Sequence, residues 1–166
     1  MRDIASPGRR GILALGAVVV LAACTPAAKS ADGAKVRTDL APLERRFAAL
    51  GALSGAHWLG TALGADSRMS VPGPTDVRVV GTARLGAGAV AAITGAPQRS
   101  FRRETPRRIP GELAEFMPDG ARWVRGESFD TDMTRGTYSG AFYLDAGTDT
   151  VYFDTTNPSV SAGSGP

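Results

Sequence analysis

The run Asp76–Leu85, DVRVVGTARL, carries the clearest early strand pattern in the chain. Val77, Val79, Gly81, Ala83 and Leu85 share one parity, and Arg78 and Arg84 fall on the other. A period of two belongs to a half-buried strand, whose successive side chains leave opposite faces. Ala56–Leu63 predicts an earlier strand, and Arg122–Phe129, Thr137–Leu144 and Thr150–Thr155 predict three later ones. The last two are joined by Asp145-Ala146-Gly147-Thr148-Asp149, a loop with the glycine that hairpins favour. Phe142, Leu144 and Tyr152 suit a pleated, partly buried surface.

Helical spacing is strongest in Pro42–Gly51, where Leu43, Phe47 and Leu50 recur three or four apart. Proline suits the first turn and Gly51 the end. Arg45 and Arg46 lie off the apolar face. Ala87–Thr94 is an apolar segment compatible with a short helix, and Glu112–Met117 with one or two helical turns. Val71-Pro72-Gly73-Pro74 is a turn or a rigid extended loop, and residues 95–110 are an irregular stretch rich in proline and arginine. The elements add up to an α+β fold: one small domain, an antiparallel sheet of four to five strands, and short helices on one face.

The apolar residues before this domain follow another pattern. Arg2, Arg9 and Arg10 oppose one acid, Asp3, and Gly11–Val20 is uncharged. Small residues then lead to Cys24, the only cysteine of the chain. This is the three-part layout of an export signal. The apolar run is too short for a spanning helix, which needs roughly 20 residues. Extending it to Ala28 takes in Thr25 and Pro26, and proline breaks a helix interior. Residues 25–41 and 158–166 are too poor in large apolar groups to order themselves. The expected organisation is a signal peptide over 1–23, a flexible tether over 24–41, the α+β domain over 42–157 and a disordered tail over 158–166.

Leu21-Ala22-Ala23-Cys24 resembles the lipobox of bacterial lipoprotein precursors. The resemblance implies that the Cys24 thiol takes a diacylglycerol and that a signal peptidase cuts between Ala23 and Cys24. The protein would then be lipid-anchored at the extracytoplasmic face of the cell membrane, and two acyl chains suffice for stable anchoring. Arg9-Arg10-Gly11-Ile12-Leu13 is also similar to a twin-arginine signal, with Gly8 where a polar residue is usual. An ordinary positive leader and a twin-arginine leader both fit.

Removing the leader changes the charge. The whole chain is formally +3, but without Arg2, Arg9, Arg10 and Asp3 it has 16 basic and 15 acidic side chains. The high isoelectric point is then no sign of nucleic-acid binding. No second cysteine exists for a disulfide, so the domain stands on its core alone. Nearly all basic residues are arginine, the exceptions being Lys29 and Lys35, which suits coding from a GC-rich genome. Ser54–Gly60, Val71–Arg78 and Tyr143–Pro158 resemble small exported proteins of high-GC Gram-positive bacteria, and that resemblance brings no catalytic residue with it.

The candidate chemistry is sparse. His57 is the only histidine, so any triad would have to use it, and a zinc site of three or four His/Cys ligands cannot be assembled. Asp130-Thr131-Asp132 resembles the start of a calcium loop but lacks its glycine and distal glutamate. It reads as a polar turn between strands. Gly86-Ala87-Gly88 lacks the rest of a dinucleotide fingerprint. Glu112, Glu115 and Glu127 offer carboxylates, and nothing selects a pair. No catalytic, cofactor-binding or metal-binding residue is therefore assigned.

One charge feature stands out. Arg99, Arg102, Arg103, Arg107 and Arg108 fall within ten residues against one acid, Glu104. Arginine binds phosphate and carboxylate in a bidentate manner. These five are the candidate patch for an anionic partner; the alternative is a solvated loop paired with the chain's own acids. The expected role is a non-enzymatic binding or interaction module at the cell envelope, whose partners are membrane lipid through Cys24 and an anionic envelope component or protein. The alternatives are an envelope-associated hydrolytic enzyme using His57 or acidic residues, and a subunit of a larger envelope assembly.

Overall fold

The computed structural model describes residues 35–63 and 76–158. The leader, Ala23, Cys24, the Val71–Pro74 turn and residues 159–166 lie outside the described residues. Among the described residues six strands form one antiparallel open sheet: β1 (Ser54–Leu63), β2 (Asp76–Arg84), β3 (Arg102–Arg103), β4 (Val124–Arg125), β5 (Ser139–Asp145) and β6 (Thr150–Thr156). Their order is β1-β2-β6-β5-β4-β3. The fold class is the expected one, and the count exceeds four to five because Arg102–Arg103 pairs with Arg125 and Val124 inside the supposedly irregular loop.

Among the described residues three short helices cover one face: α1 (Ala41–Arg46), α2 (Ala89–Thr94) and α3 (Glu127–Thr134). Leu43, Phe47, Val90, Phe129 and Met133 pack there on Val79, Ala83, Phe142, Leu144, Val151 and Phe153. The Phe47 ring lies 5.4 Å from Phe142 and 5.0 Å from Phe153, the tilted and edge-on spacing aromatic pairs favour. The other face is covered as well, by the 3₁₀ segment Gly111–Phe116 and its flanks. Leu113, Ile109 and Trp123 pack there on Leu59, Val80, Tyr143 and Tyr152. Double cover explains why β2 is buried at every position from Val79 to Ala83, where the alternation predicts one solvated side.

The strand expected over Arg122–Phe129 is wrong beyond its first half. Only Val124 and Arg125 pair, and α3 begins at Glu127. At Gly126 a side chain would sit 2.6 Å from the Arg99 carbonyl oxygen, so the chain turns there in close contact. Phe129, Asp130, Met133 and Thr134 are then buried together, which is helical spacing rather than alternation. Asp130-Thr131-Asp132 accordingly lies within a helix, not a turn between strands.

The domain also starts before residue 42. Arg37 pairs antiparallel with Trp58, each backbone N–H donating to the other's carbonyl at 2.8 and 2.9 Å. The Trp58 indole N–H donates to the Asp39 carbonyl, and the Arg37 guanidinium lies 4.1 Å over the indole ring. The last residues of the expected tether are thus held on the edge of β1. The β5–β6 hairpin matches its expected position. Its turn is built on Asp145, which accepts from the backbone N–H of Arg122 and Thr148 and from the Thr148 hydroxyl.

Candidate anion-binding groove

The backbone of Arg107 and Arg108 is pinned to the sheet. Pro106 is buried, Ile109 packs on the second apolar cluster, and the Tyr152 hydroxyl donates to the Arg108 carbonyl at 3.2 Å. Burying these neighbours fixes where the two exposed guanidinium groups begin. Both line a groove of about 490 Å³ over the ends of β5 and β6, together with Ser139, Tyr143, Asp154 and Thr156.

The structure divides the five candidate arginines. Arg99 faces Asp132 at 3.6 Å and lies 5.2 Å over the Phe129 ring. Arg102 donates to Glu127 at 2.8 Å and to Glu104 at 3.3 Å, and these bonds hold its charge more firmly than usual. Arg103, Arg107 and Arg108 have no acid partner among the described residues. The one acid inside the stretch is already committed: Glu104 accepts from Arg125 at 3.0 Å, and that bond holds its carboxyl below the usual range. Arg103 opens on a separate shallow pocket beside Arg122, which also lacks an ion pair among the described residues.

The one carboxylate among the described residues that line the groove is likewise paired. Asp154 on β6 receives both a 2.8 Å and a 2.7 Å hydrogen bond from the Arg78 fork on neighbouring β2. Arg78 and Thr156 are register partners, which brings Arg78 alongside Asp154. The fork arrangement is the strong form of the arginine–carboxylate contact. Tyr143 stays a donor. Burial pushes its phenol up from the ordinary value, partly opposed by the Arg125 and Arg107 charges. The Tyr143 hydroxyl makes no hydrogen bond among the described residues, and neither does that of Ser139. Among the described residues the groove thus presents two cations without an acid partner and two hydroxyls without a hydrogen bond, and its one carboxylate is offset by Arg78.

Behind it, Arg125 donates to Asp130 at 2.6 Å, and Asp130 accepts from the Phe142 backbone N–H at 2.8 Å. Burial pushes the Asp130 carboxyl up, against these two bonds. Asp130 and Asp132 stand two apart on a helix and do not face each other. Each is taken by a different arginine. Among the described residues no group of three or more His, Cys, Asp or Glu side chains is placed to hold a metal ion.

His57 lies elsewhere, in a cleft of about 510 Å³ also lined by Ser54, Glu115 and Asp119. Its ring stacks on Phe116 at 3.8 Å with planes 6° apart. The imidazole makes no hydrogen bond among the described residues. Glu112 is exposed, Glu115 lines the His57 cleft, and Glu127 serves Arg102. Sequence reasoning missed Arg78, Ser139, Tyr143 and Asp154, because register across three strands brings them together and no local motif marks it. No family model, curated protein or solved structure matches this chain.

Proposed function

We propose that the protein is an exported lipoprotein, anchored through Cys24 at the extracytoplasmic face of the cell membrane, that acts as a non-enzymatic binding module for an anionic envelope component. The anchor rests on the leader and lipobox pattern. The binding role rests on one observation above all: the arginine stretch is not fully consumed by the protein's own acids. Arg99 and Arg102 are paired, while Arg107 and Arg108 line a groove with no acid partner among the described residues. Near an anionic surface each such residue contributes about 1 kcal/mol. The hydrolase alternative has less support, because His57 stacks on an apolar ring and meets no carboxylate or hydroxyl at hydrogen-bond distance among the described residues.

Two measurements test the reading. Cys24→Ser should abolish the acyl mass increment and membrane fractionation. A variant that still sediments with membranes, beside a native protein carrying no acyl mass, removes the lipoprotein assignment. For binding, the Cys24→Ser chain should be retained by envelope fractions at low salt and released at high salt, as charge-driven contacts are screened. Absence of retention at low salt refutes the binding role.

A further inference from the structure

We infer that the groove over β5 and β6 is a site for a phosphate ester with a hydroxylated organic part, held by Arg107 and Arg108. The inference rests on the binding-module reading above and makes it specific. Two planar guanidinium forks match the oxygens of a phosphate better than a single point charge does. The free hydroxyls of Tyr143 and Ser139 add neutral donors beside them. Two guanidinium groups and two hydroxyls supply more donors than one carboxylate needs, and a phosphate has more oxygens to receive them. The groove volume of about 490 Å³ exceeds what a bare ion fills and falls in the range of small-molecule sites.

Asp154 decides the organic part. A carboxylate has about four acceptor positions, and Arg78 occupies two of them. Asp154 lines the groove, so its remaining positions are open to hydrogen bonds from a ligand's hydroxyl groups, and its charge repels a second anion. A ligand with one phosphate and neighbouring hydroxyls, such as a polyol or sugar phosphate, satisfies both ends. Outside a membrane this chemistry occurs in the headgroup of an anionic phospholipid and in phosphate esters free of lipid.

The test uses the full chain carrying Cys24→Ser, with glycerol 1-phosphate, inorganic phosphate and glycerol as probes in titration calorimetry. Glycerol 1-phosphate should bind saturably, inorganic phosphate more weakly, and glycerol not at all. Arg107→Ala and Arg108→Ala should each weaken binding about tenfold, the loss of one charge-assisted contact, and Arg99→Ala should leave it unchanged. Arg107→Lys with Arg108→Lys keeps the charge without the fork and should bind between wild type and the alanine variants.

Flotation with phosphatidylglycerol and phosphatidylcholine vesicles separates the sources. Binding to anionic vesicles only, competed by glycerol 1-phosphate, assigns the headgroup. Glycerol 1-phosphate binding without vesicle binding assigns a lipid-free ester. If envelope fractions retain the protein but no phosphate ester binds, this inference is overturned and the binding-module reading survives. If neither binds, both fall. Equal loss in the Arg99→Ala variant also overturns the inference, because it makes the effect one of general charge.

Discussion

The pairing of Arg78 with Asp154 gives the sharpest prediction. Arg78→Ala removes a fork of two hydrogen bonds between partly exposed side chains, each about 30% accessible. At that exposure the pair contributes about 0.5–1 kcal/mol to stability, so the thermal midpoint should move by only a few degrees. The effect on ligand is larger and indirect. Asp154 would then present an unopposed negative charge to the groove that Arg107 and Arg108 line. Two unit charges about 8 Å apart interact by about 2 kcal/mol at an effective dielectric near 20, and by about 1 kcal/mol after screening. Anion affinity should therefore fall roughly fivefold to thirtyfold, although Arg78 touches no ligand. Asp154→Asn should move affinity upward for a bare anion, and Arg78→Ala combined with Asp154→Ala should restore most of what Arg78→Ala alone loses. Calorimetric titration with inorganic phosphate across this double-mutant cycle is the assay. An Arg78→Ala variant that binds as wild type, or a double variant no better than the single one, refutes the electrostatic reasoning.

Three further outcomes follow from the fold. Asp145 is buried, yet its donors Thr148, Arg122 and Gly147 overcome the cost of burial and hold its carboxyl below the ordinary range. Its stabilising contribution is complete above the unfolded value of about 3.9 and is lost as pH falls through the lower folded value. Asp145→Asn should cost about 2–3 kcal/mol at neutral pH and flatten the acid limb of a denaturation series; an unchanged limb contradicts this. Gly81→Ala places a side chain 2.4 Å from the His57 carbonyl oxygen and 2.5 Å from the Trp58 Cβ. The strands must shift, so urea denaturation should show a loss of about 1–3 kcal/mol. His57→Ala removes one stacked aromatic contact and should cost about 1 kcal/mol while leaving envelope retention intact. Retention lost with the fold preserved would place function at His57 instead.

How far the chain was legible depended on where the information lay. The β5–β6 hairpin was readable because its aromatic pattern and its turn are local. Asp76–Leu85 was readable as a strand, but its burial on both faces was not, since cover on the second side comes from Leu113 and Trp123, far along the chain. α3 escaped because Glu127–Thr134 has only two large apolar residues, Phe129 and Met133, among polar ones, and a buried aspartate completes its inner face. The arginine stretch was visible as composition. Its division into paired and unpaired members was not, because Asp132 and Glu127 approach from α3 and Asp154 is paired by a strand remote in sequence.

The most direct test sets the two halves of that stretch against each other. In the Cys24→Ser background, retention by envelope fractions at low salt is measured for Arg107→Ala/Arg108→Ala and for Arg99→Ala/Arg102→Ala, which remove the same formal charge. The expected result is loss of retention in the first variant and near wild-type retention in the second. Equal retention by the two variants, or greater loss in the second, would contradict the assignment of binding to the groove.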